Sequence, residues 1–412
     1  MPLRERVRRV PGMERLLPAL ESLPPAYLVG GAVRDLLRDA DPLDVDIAVE
    51  GDARAAARAV ADRLGGEFRE YERFGTADVV TPDDTYHFAS TREELYDAPG
   101  QLPQVSAAAL AEDLRRRDFT INAMAIGLTG DDLGHLYDPH GGLADMDARL
   151  IRVLHERSFL DDPTRLLRAL RYAARLDFAL DPETERLARE AVAAEALSTV
   201  SGDRIRADLM TLLREHEAKK GIERLRDLEI HSALHPKLDP DPELVASAAI
   251  GATAINAAAP VHADRAVAAL AAFVESAPEE LDLWLADLNL PAEQRDAASR
   301  AARVGPRLAA ALREREHTPS ELRALLANEP LEALALALAL RAPSETVLRW
   351  VTDLSGVGLE ISGADLLAAG VPEGPAIGRA LEETLRRKLD GLVSGRDEEL
   401  ETALLLAREP AQ

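Results

Sequence analysis

The chain has 412 residues and a formal net charge of −24, with hydrophobic residues at 47% and charged residues at 30%. This is a globular composition, too long for one compact core and suited to roughly two to four domains. The absence of cysteine excludes disulfides, thiolate metal sites and cysteine nucleophiles.

No run of about 18 apolar residues occurs, and the basic start MPLRERVRRVPGMERLL lacks an apolar signal core, so a cytoplasmic location without a membrane partner is expected. The acidic balance opposes a nucleic-acid partner, because phosphate contacts need Lys and Arg. Any such contact must be local, and 45 of the 49 basic residues are Arg.

Residues 26 to 50 alternate apolar segments with turn residues, and DARAAARAVADRL after them has helical spacing. TADVV, YHFAS and AMAIGL read as short strands. An N-terminal domain mixing strands and helices follows, of roughly 150 residues. From Asp162 onward strand signals disappear, and Ala/Leu-rich helical segments run on between prolines and glycines. The fold class is α+β, with boundaries expected near His155, Pro236 and Gly356.

The segment YLVGGAVRDLLRDADPLDVDIAVEG carries the first chemistry. Tyr27 to Val29 read as a strand, Gly30 and Gly31 as a turn, and Ala32 to Arg38 as a short helix. Paired glycines let backbone N–H groups approach a triphosphate at a helix N-terminus. In DVDIAV a period of two places Asp44 and Asp46 on one strand face. Two such carboxylates can hold Mg²⁺ ions that activate a hydroxyl and neutralise a leaving pyrophosphate. An isolated acid pair would equally suit a solvated edge strand, so the pair matters through what accompanies it.

GGAVRD, then DVD, RRRDFTINAMAI, YDPHGGLADM and SFLDDPTRLLRALRYAARL follow in order over roughly residues 26 to 235. This series resembles class II CCA-adding enzymes (tRNA nucleotidyltransferases) and bacterial poly(A) polymerases, and ISGADLLAAGVPEGPAIGRAL resembles their tail region. The resemblance implies a polymerase-β-type head with a mixed sheet over residues 1–155. Helical neck (156–235), body (236–355) and tRNA-binding tail (356–412) would follow. It implies an enzyme that adds CMP and AMP from CTP and ATP to the tRNA 3′ end without a nucleic-acid template, using two Mg²⁺ ions held by Asp44 and Asp46. The partners would be the acceptor end and elbow of tRNA.

By the same resemblance, Gly30, Gly31 and Arg34 would contact or position the triphosphate, and Arg117, Asp118 and Asn122 would select the ribose and hold phosphates. Asp162 and Arg165, in DDPTR, would read the incoming base, since a carboxylate and a guanidinium together imitate a Watson–Crick edge. Pro163 suits the first turn of the neck helix. The family usually has Glu-Asp where this chain has Asp161-Asp162, which leaves the supporting contact of the first acid open.

Arg165, Arg168, Arg171 and Arg175 share about a third of a helix circumference with no acid between them, an expected stripe of unpaired arginines facing phosphates. Many relatives carry an acid where this chain has His87, so no third carboxylate is assigned. His87 reads as a base near neutral pH or as a structural histidine. His231 and His235 have metal-pair spacing but no third ligand, and read as structural. Gly363, Gly370, Gly374 and Gly378 punctuate two helical stretches, matching either close approach to a phosphate backbone or helix-turn-helix packing.

Three outcomes stay in play for the added nucleotides: CCA, A alone, or CC alone. The 27 residues from Ala89 to Arg115 show no truncation of the kind found in CC-adding specialists, which ranks that outcome last. A poly(A) polymerase would be expected to carry a basic extension, and the segment from Arg396 on is acidic instead. A non-catalytic RNA-binding relative would be favoured by loss of Asp44 or Asp46, and both are present.

Overall fold

The computed structural model describes residues 1–40, 42, 44–71, 75–275 and 278–408, the side chains of 278–281 excepted. It divides into two compact units: residues 1–205 with 227–233, and residues 206–226 with 234–412.

The first unit opens with helices α1 (Leu3–Arg9) and α2 (Met13–Ala19), then strand β1 (Ala26–Val29), helix α3 (Gly31–Leu37), strand β2 (Val45–Val49) and helix α4 (Ala53–Leu64). The strongly helical run expected after residue 51 is α4, started by Asp52, whose carboxylate accepts from the N–H groups of Arg54 and Ala55. Strands β3 (Glu67–Tyr71), β4 (Thr76–Val80), β5 (Thr85–Ser90), β6 (Arg92–Leu95) and β7 (Gln104–Ala107) follow. Next come α5 (Leu110–Arg115), β8 (Ala125–Gly127), β9 (Leu136–Tyr137), α6 (Gly142–Ala148) and β10 (Leu150–Ile151).

Seven strands form one mixed sheet in the order β3-β4-β5-β2-β1-β8-β9. The β2–β5 pair is parallel and its neighbours are antiparallel. Strand β2 is buried at Val45, Ile47, Ala48 and Val49 and open only at Asp46, so the sheet seats a single carboxylate among apolar neighbours. Strands β6 and β7 pair separately as a hairpin.

After β10 the unit turns helical: α7 (Ser158–Asp161), α8 (Arg165–Leu176), α9 (Pro182–Ala193) and the start of α10 (Gly202–Arg214). Strand signals do not vanish entirely after Asp162, because β11 (Ala179–Leu180) pairs parallel with β10. Pro163 does not occupy the first turn of α8. The helix starts at Arg165 with Thr164 as its N-cap, and Asp162 is extended (φ −134°, ψ 92°). The residue before a proline is pushed out of helical geometry, which ends α7 and delays α8.

The second unit contains α13 (Pro242–Ala258), α14 (Arg265–Phe273), α16 (Ala292–Glu314) and α18 (Leu331–Ala339) packed on one another, with α11 (Ala218–Asp227), α15 (Pro278–Asp287), α17 (Pro319–Leu326) and α19 (Ser344–Arg349) among its other helices, while α12 (Ile230–Leu234) returns to the first unit for all but its last residue. Small residues set the spacing: a Cβ on Gly251 would lie 2.6 Å from the Ala335 carbonyl oxygen, so α13 and α18 touch backbone to backbone. Helices α20 (Gly363–Ala368), α21 (Pro375–Leu389) and α22 (Gly395–Arg408) close the chain around a small core including Ile361, Leu366, Val371, Ala380 and Ala403. Among the described residues no helix is long and apolar enough to cross a membrane.

Candidate active site

A cleft of ≈ 330 Å³ in the first unit gathers most of the candidate residues. Gly30, Gly31, Asp46, Arg117, Asp118 and Asn122 line it from the sheet side. Asp162, Arg165 and Arg168 line it from the start of α8. A larger hollow of ≈ 940 Å³ lies near Arg4, Arg8, Leu17 and Pro18 and holds none of these residues.

Gly30 ends β1 with φ +67°, and a Cβ there would press on Arg117 Nη1 at 3.0 Å, so the turn needs glycine twice over. The first N–H groups of α3 follow directly. Arg34 lies behind the cleft rather than in it. Its guanidinium is 3% exposed, donates from Nη1 to Asn122 Oδ1 at 2.8 Å and pairs with Asp35 at 2.8 Å.

Asp44 directly precedes β2 and Asp46 lies within it, both exposed, so the two-residue spacing brings the acids near each other although only one is in the strand. Neither carries a hydrogen bond or ion pair among the described residues. The Asp46 carboxyl is pushed above its ordinary value, mostly by loss of surrounding water and further by Asp44 and Asp78, against the pull of His87 and Arg117. Unneutralised, mutually repelling carboxylates are the donor set that a hard divalent cation satisfies. No cluster of three or more His, Cys, Asp or Glu side chains able to hold a metal occurs among the described residues, so a divalent cation at this place would find two carboxylates and would need other oxygen donors besides.

His87 pairs in register with Asp46 on one side and Asp78 on the other. Its Nδ1 is 2.8 Å from Asp78 Oδ1. An acid therefore does stand near, one strand further across the sheet and tied to the histidine. Sequence spacing could not show this, because the β4–β5 register decides it.

Asp118 is 7% exposed and fully engaged. It accepts from its neighbour's N–H at Phe119 (2.8 Å), from Asn122 Nδ2 (3.0 Å), and from Arg168 Nε (3.0 Å) and Nη2. Burial alone would raise its pKa, but the Arg168 charge and these donors outweigh that and hold it below the ordinary value. Arg34, Asn122, Asp118 and Arg168 thus form one continuous chain of bonds.

The expected stripe of unpaired arginines splits in two. Arg165 is 4% exposed and donates to Ser158 Oγ (2.7 Å) and the Arg116 carbonyl (2.8 Å), while Arg168 pairs with Asp118. Arg171 lies 4.6 Å from the Tyr172 ring centre with its buried Nε lacking a hydrogen-bond partner, and Arg175 is exposed. Neither Arg171 nor Arg175 joins an ion pair among the described residues. The cause is simple: the Asp118 carboxylate and the Arg116 carbonyl of the RRRD segment reach the helix in space though not in sequence.

Reading the sequence also missed Asp113, Glu94, Tyr96, Arg204 and Tyr172. Asp113, buried at 1% exposure, accepts from Arg116 (2.7 Å) and Arg117 (2.9 Å) and so aims both arginines. Its position four residues before Arg117 on a helix was a usable signal. Tyr172 has Arg34 at 5.3 Å and Arg168 at 5.9 Å from its ring centre. His231 and His235 fall in different units.

Comparison with known proteins shows what the chain is similar to. The pattern of the Poly A polymerase head domain matches residues 26–152, and that of the probable RNA and SrmB-binding site of polymerase A matches residues 177–241. An A-adding tRNA nucleotidyltransferase of Geobacter sulfurreducens is 35% identical over 93% of this chain and 45% of its own length. A CC-adding tRNA nucleotidyltransferase of Deinococcus radiodurans is 33% identical over 90% of this chain and 87% of its own. The solved structure of the Thermotoga maritima CCA-adding enzyme complexed with tRNA_CCA superposes with a TM-score of 0.78 at 30% identity, covering 98% of each chain. The chain spans less than half the length of the A-adding relatives from Geobacter sulfurreducens, Aquifex aeolicus and Halalkalibacterium halodurans.

Proposed function

Because the chain belongs to the family of class II tRNA nucleotidyltransferases and bacterial poly(A) polymerases, we propose that it adds CMP and AMP from CTP and ATP to the 3′ end of tRNA. The observation that supports this most is the pair of unneutralised carboxylates, Asp44 and Asp46, beside a cleft whose other wall carries Asp162 and Arg165. In this reading residues 1–155 are the head, 156–235 the neck, 236–355 the body and 356–412 the tail, and the tRNA substrate places the protein in the cytoplasm.

The tRNA 3′-oxygen attacks the α-phosphorus, a P–O bond forms, the bond to the bridging oxygen breaks, pyrophosphate leaves and the hydroxyl proton passes to solvent. Mg²⁺, held by Asp44 and Asp46, would supply charge neutralisation for the attacking and leaving oxygens. The protein's own groups hold the reactants. The Gly30–Gly31 turn lets the triphosphate approach the backbone, and Arg171 offers an unused cation. Arg117 and the Asn122–Asp118–Arg168 chain form the wall for sugar and phosphates. Asp162 offers an acceptor and Arg165 the unused N–H groups of its guanidinium to a base edge.

A second reading, addition of the terminal A alone, is favoured by the identity to A-adding relatives. Incubation with tRNA transcripts of graded 3′ length and single nucleotides decides. A complete enzyme extends tRNA ending at the discriminator base by three nucleotides, whereas an A-specialist extends only tRNA ending in CC. Extension by two with CTP and no AMP addition under any condition would overturn both readings.

A further inference from the structure

The connection between β6 and β7 passes through a buried position that admits only glycine. Gly100 has φ +70°, and a Cβ there would collide with the Thr199 hydroxyl and lie 2.8 Å from the Thr199 carbonyl oxygen. Its N–H donates to the Leu160 carbonyl at 3.2 Å. Its own carbonyl accepts from Arg204 Nη1 at 2.7 Å. The other arm of the same guanidinium, Nη2, donates to Asp162 Oδ1 at 2.7 Å. One side chain therefore fastens two things at once: the loop of the hairpin and the carboxylate proposed to read the base.

The bond to Asp162 is selective between its oxygens. Oδ1 accepts from Arg204 and also from the N–H (3.1 Å) and hydroxyl (2.7 Å) of Thr164. Oδ2 meets no donor among the described residues, which leaves it as the acceptor for a ligand. The hairpin is the second half of the same geometry, since Glu94 and Tyr96, at the loop's near end, wall the cleft that Asp162 faces. Tyr96 donates to Glu94 Oε2 at 3.0 Å, and Glu94 pairs with Arg92 and Arg116, so the wall is stiff in itself and its setting depends on how the loop is tied.

We infer that Arg204 is a positioning residue for base selection: its forked guanidinium fixes Asp162 relative to the Glu94–Tyr96 wall, so that the acceptor and the wall present one pocket shape. This rests on the reading of Asp162 as a base reader. A site built to hydrogen-bond one edge rejects others through the groups it would leave unpaired, and that penalty exists only while acceptor and wall keep a fixed relation. A planar fork spans two acceptors in a set geometry, whereas lysine supplies charge from one nitrogen on a flexible stem.

The test compares Arg204→Ala, Arg204→Lys and Gly100→Ala with the unaltered protein by equilibrium binding of ATP, CTP, GTP and UTP, with tRNA binding and nucleotide transfer measured alongside. Arg204→Ala is expected to shrink the affinity ratio between the best and worst nucleotide about tenfold or more, with tRNA affinity within about twofold of the unaltered protein. Arg204→Lys restores part of the ratio. Gly100→Ala, which disturbs the loop but leaves the Asp162 bond, also reduces it. Equal weakening for all four nucleotides with the ratio unchanged overturns the inference and makes Arg204 a structural prop. Circular dichroism checks folding, and if Arg204→Ala is unfolded, Arg204→Lys decides on the same ratio. Absence of transfer by the unaltered protein on every tRNA, with nucleotide ratios responding as expected, overturns the proposed function and leaves the clamp standing.

Discussion

The two units bury different kinds of residue. The first buries Arg34, Asp113, Asp118, Asn122, Asp145, Arg165 and Asp181, while among the described residues the charged ones buried in the second are Glu332 and Glu399. The second unit's interior is instead Ala and Leu, as in α18, where Ala333, Leu334, Ala335, Leu336 and Ala337 are all buried. Burying a charge is costly unless each group is paired and hydrogen-bonded, so the first unit can tolerate its set only as an interlocked network. The lesson is that a cleft lined by charged and polar groups, here proposed to hold a nucleotide, dictates residue identity at many positions. A helical scaffold dictates only size and spacing.

Five substitutions would break or sharpen this contrast. The largest effect is expected at the proposed metal pair: Asp46→Ala or Asp44→Ala should reduce Mg²⁺-dependent transfer by roughly a thousandfold or more. Unchanged circular dichroism and thermal melting would accompany that loss, because both side chains are exposed and unbonded. Near-normal incorporation in both variants would remove the assignment.

Next in size is Leu336→Ala, in the second unit. Leu336 is fully buried and packs against the Gly305 position of α16, so truncation should cost about 3 kcal/mol of stability in denaturant unfolding. Nucleotide affinity should stay the same, and a selective loss of one nucleotide would contradict the division of labour.

Arg168→Ala should cost about 2 kcal/mol, reduced from the value for a fully buried pair because Arg168 is 34% exposed. It leaves Asp118 charged and buried, so the effect depends on pH with a defined sign. Asp118 and Asp113 are both held below the ordinary value of 3.8, burial opposing and the arginine charges prevailing. Their stabilisation is complete above that value and is lost as pH falls through the lower folded values. Acid unfolding of the unaltered protein should therefore begin below about pH 4 at these sites, and the difference from Arg168→Ala should vanish once Asp118 is protonated in the folded state. A difference that persisted after the Asp118 carboxyl had been protonated in the folded protein, as followed by NMR, would point to packing by the Arg168 stem instead.

The smallest effect concerns a helix start. Asp241 accepts from the N–H groups of Glu243 (2.8 Å) and Leu244 (3.4 Å) at the head of α13. Asp241→Ala should cost about 1 kcal/mol in unfolding, with transfer untouched.

Much of the first unit was legible because its motifs are chemical. Gly30–Gly31 and the acids at 44 and 46 could be named from residue type and order, Asp162 with Arg165 through the resemblance of the DDPTR segment to a known family, and the strands and helices read around them follow period and turn residues. What was not legible was partnership. Arg168 was read as free because no acid lies near it in sequence, yet Asp118 meets it across the cleft. His87 was left between base and structural roles, and its Asp78 partner comes from strand register. In the second unit period and composition marked helices, but nothing in an Ala/Leu pattern says which helix meets which, and the α13–α18 contact through Gly251 is visible only in space.

By itself, then, the sequence determined the α+β class, the change from mixed strands and helices to helices alone, and the residue types able to bind metal, phosphate and base. These depend on local backbone preference and on side-chain chemistry, both of which are properties of short segments. The tertiary structure decided which charges are spent on the protein and which remain for a ligand. It tied Arg204 to both Asp162 and Gly100, sank Arg34 behind Asn122 and left Arg171 open. Those outcomes turn on distances of a few ångströms between residues far apart in the chain, where Coulomb and hydrogen-bond energies rise steeply and sequence separation carries no information.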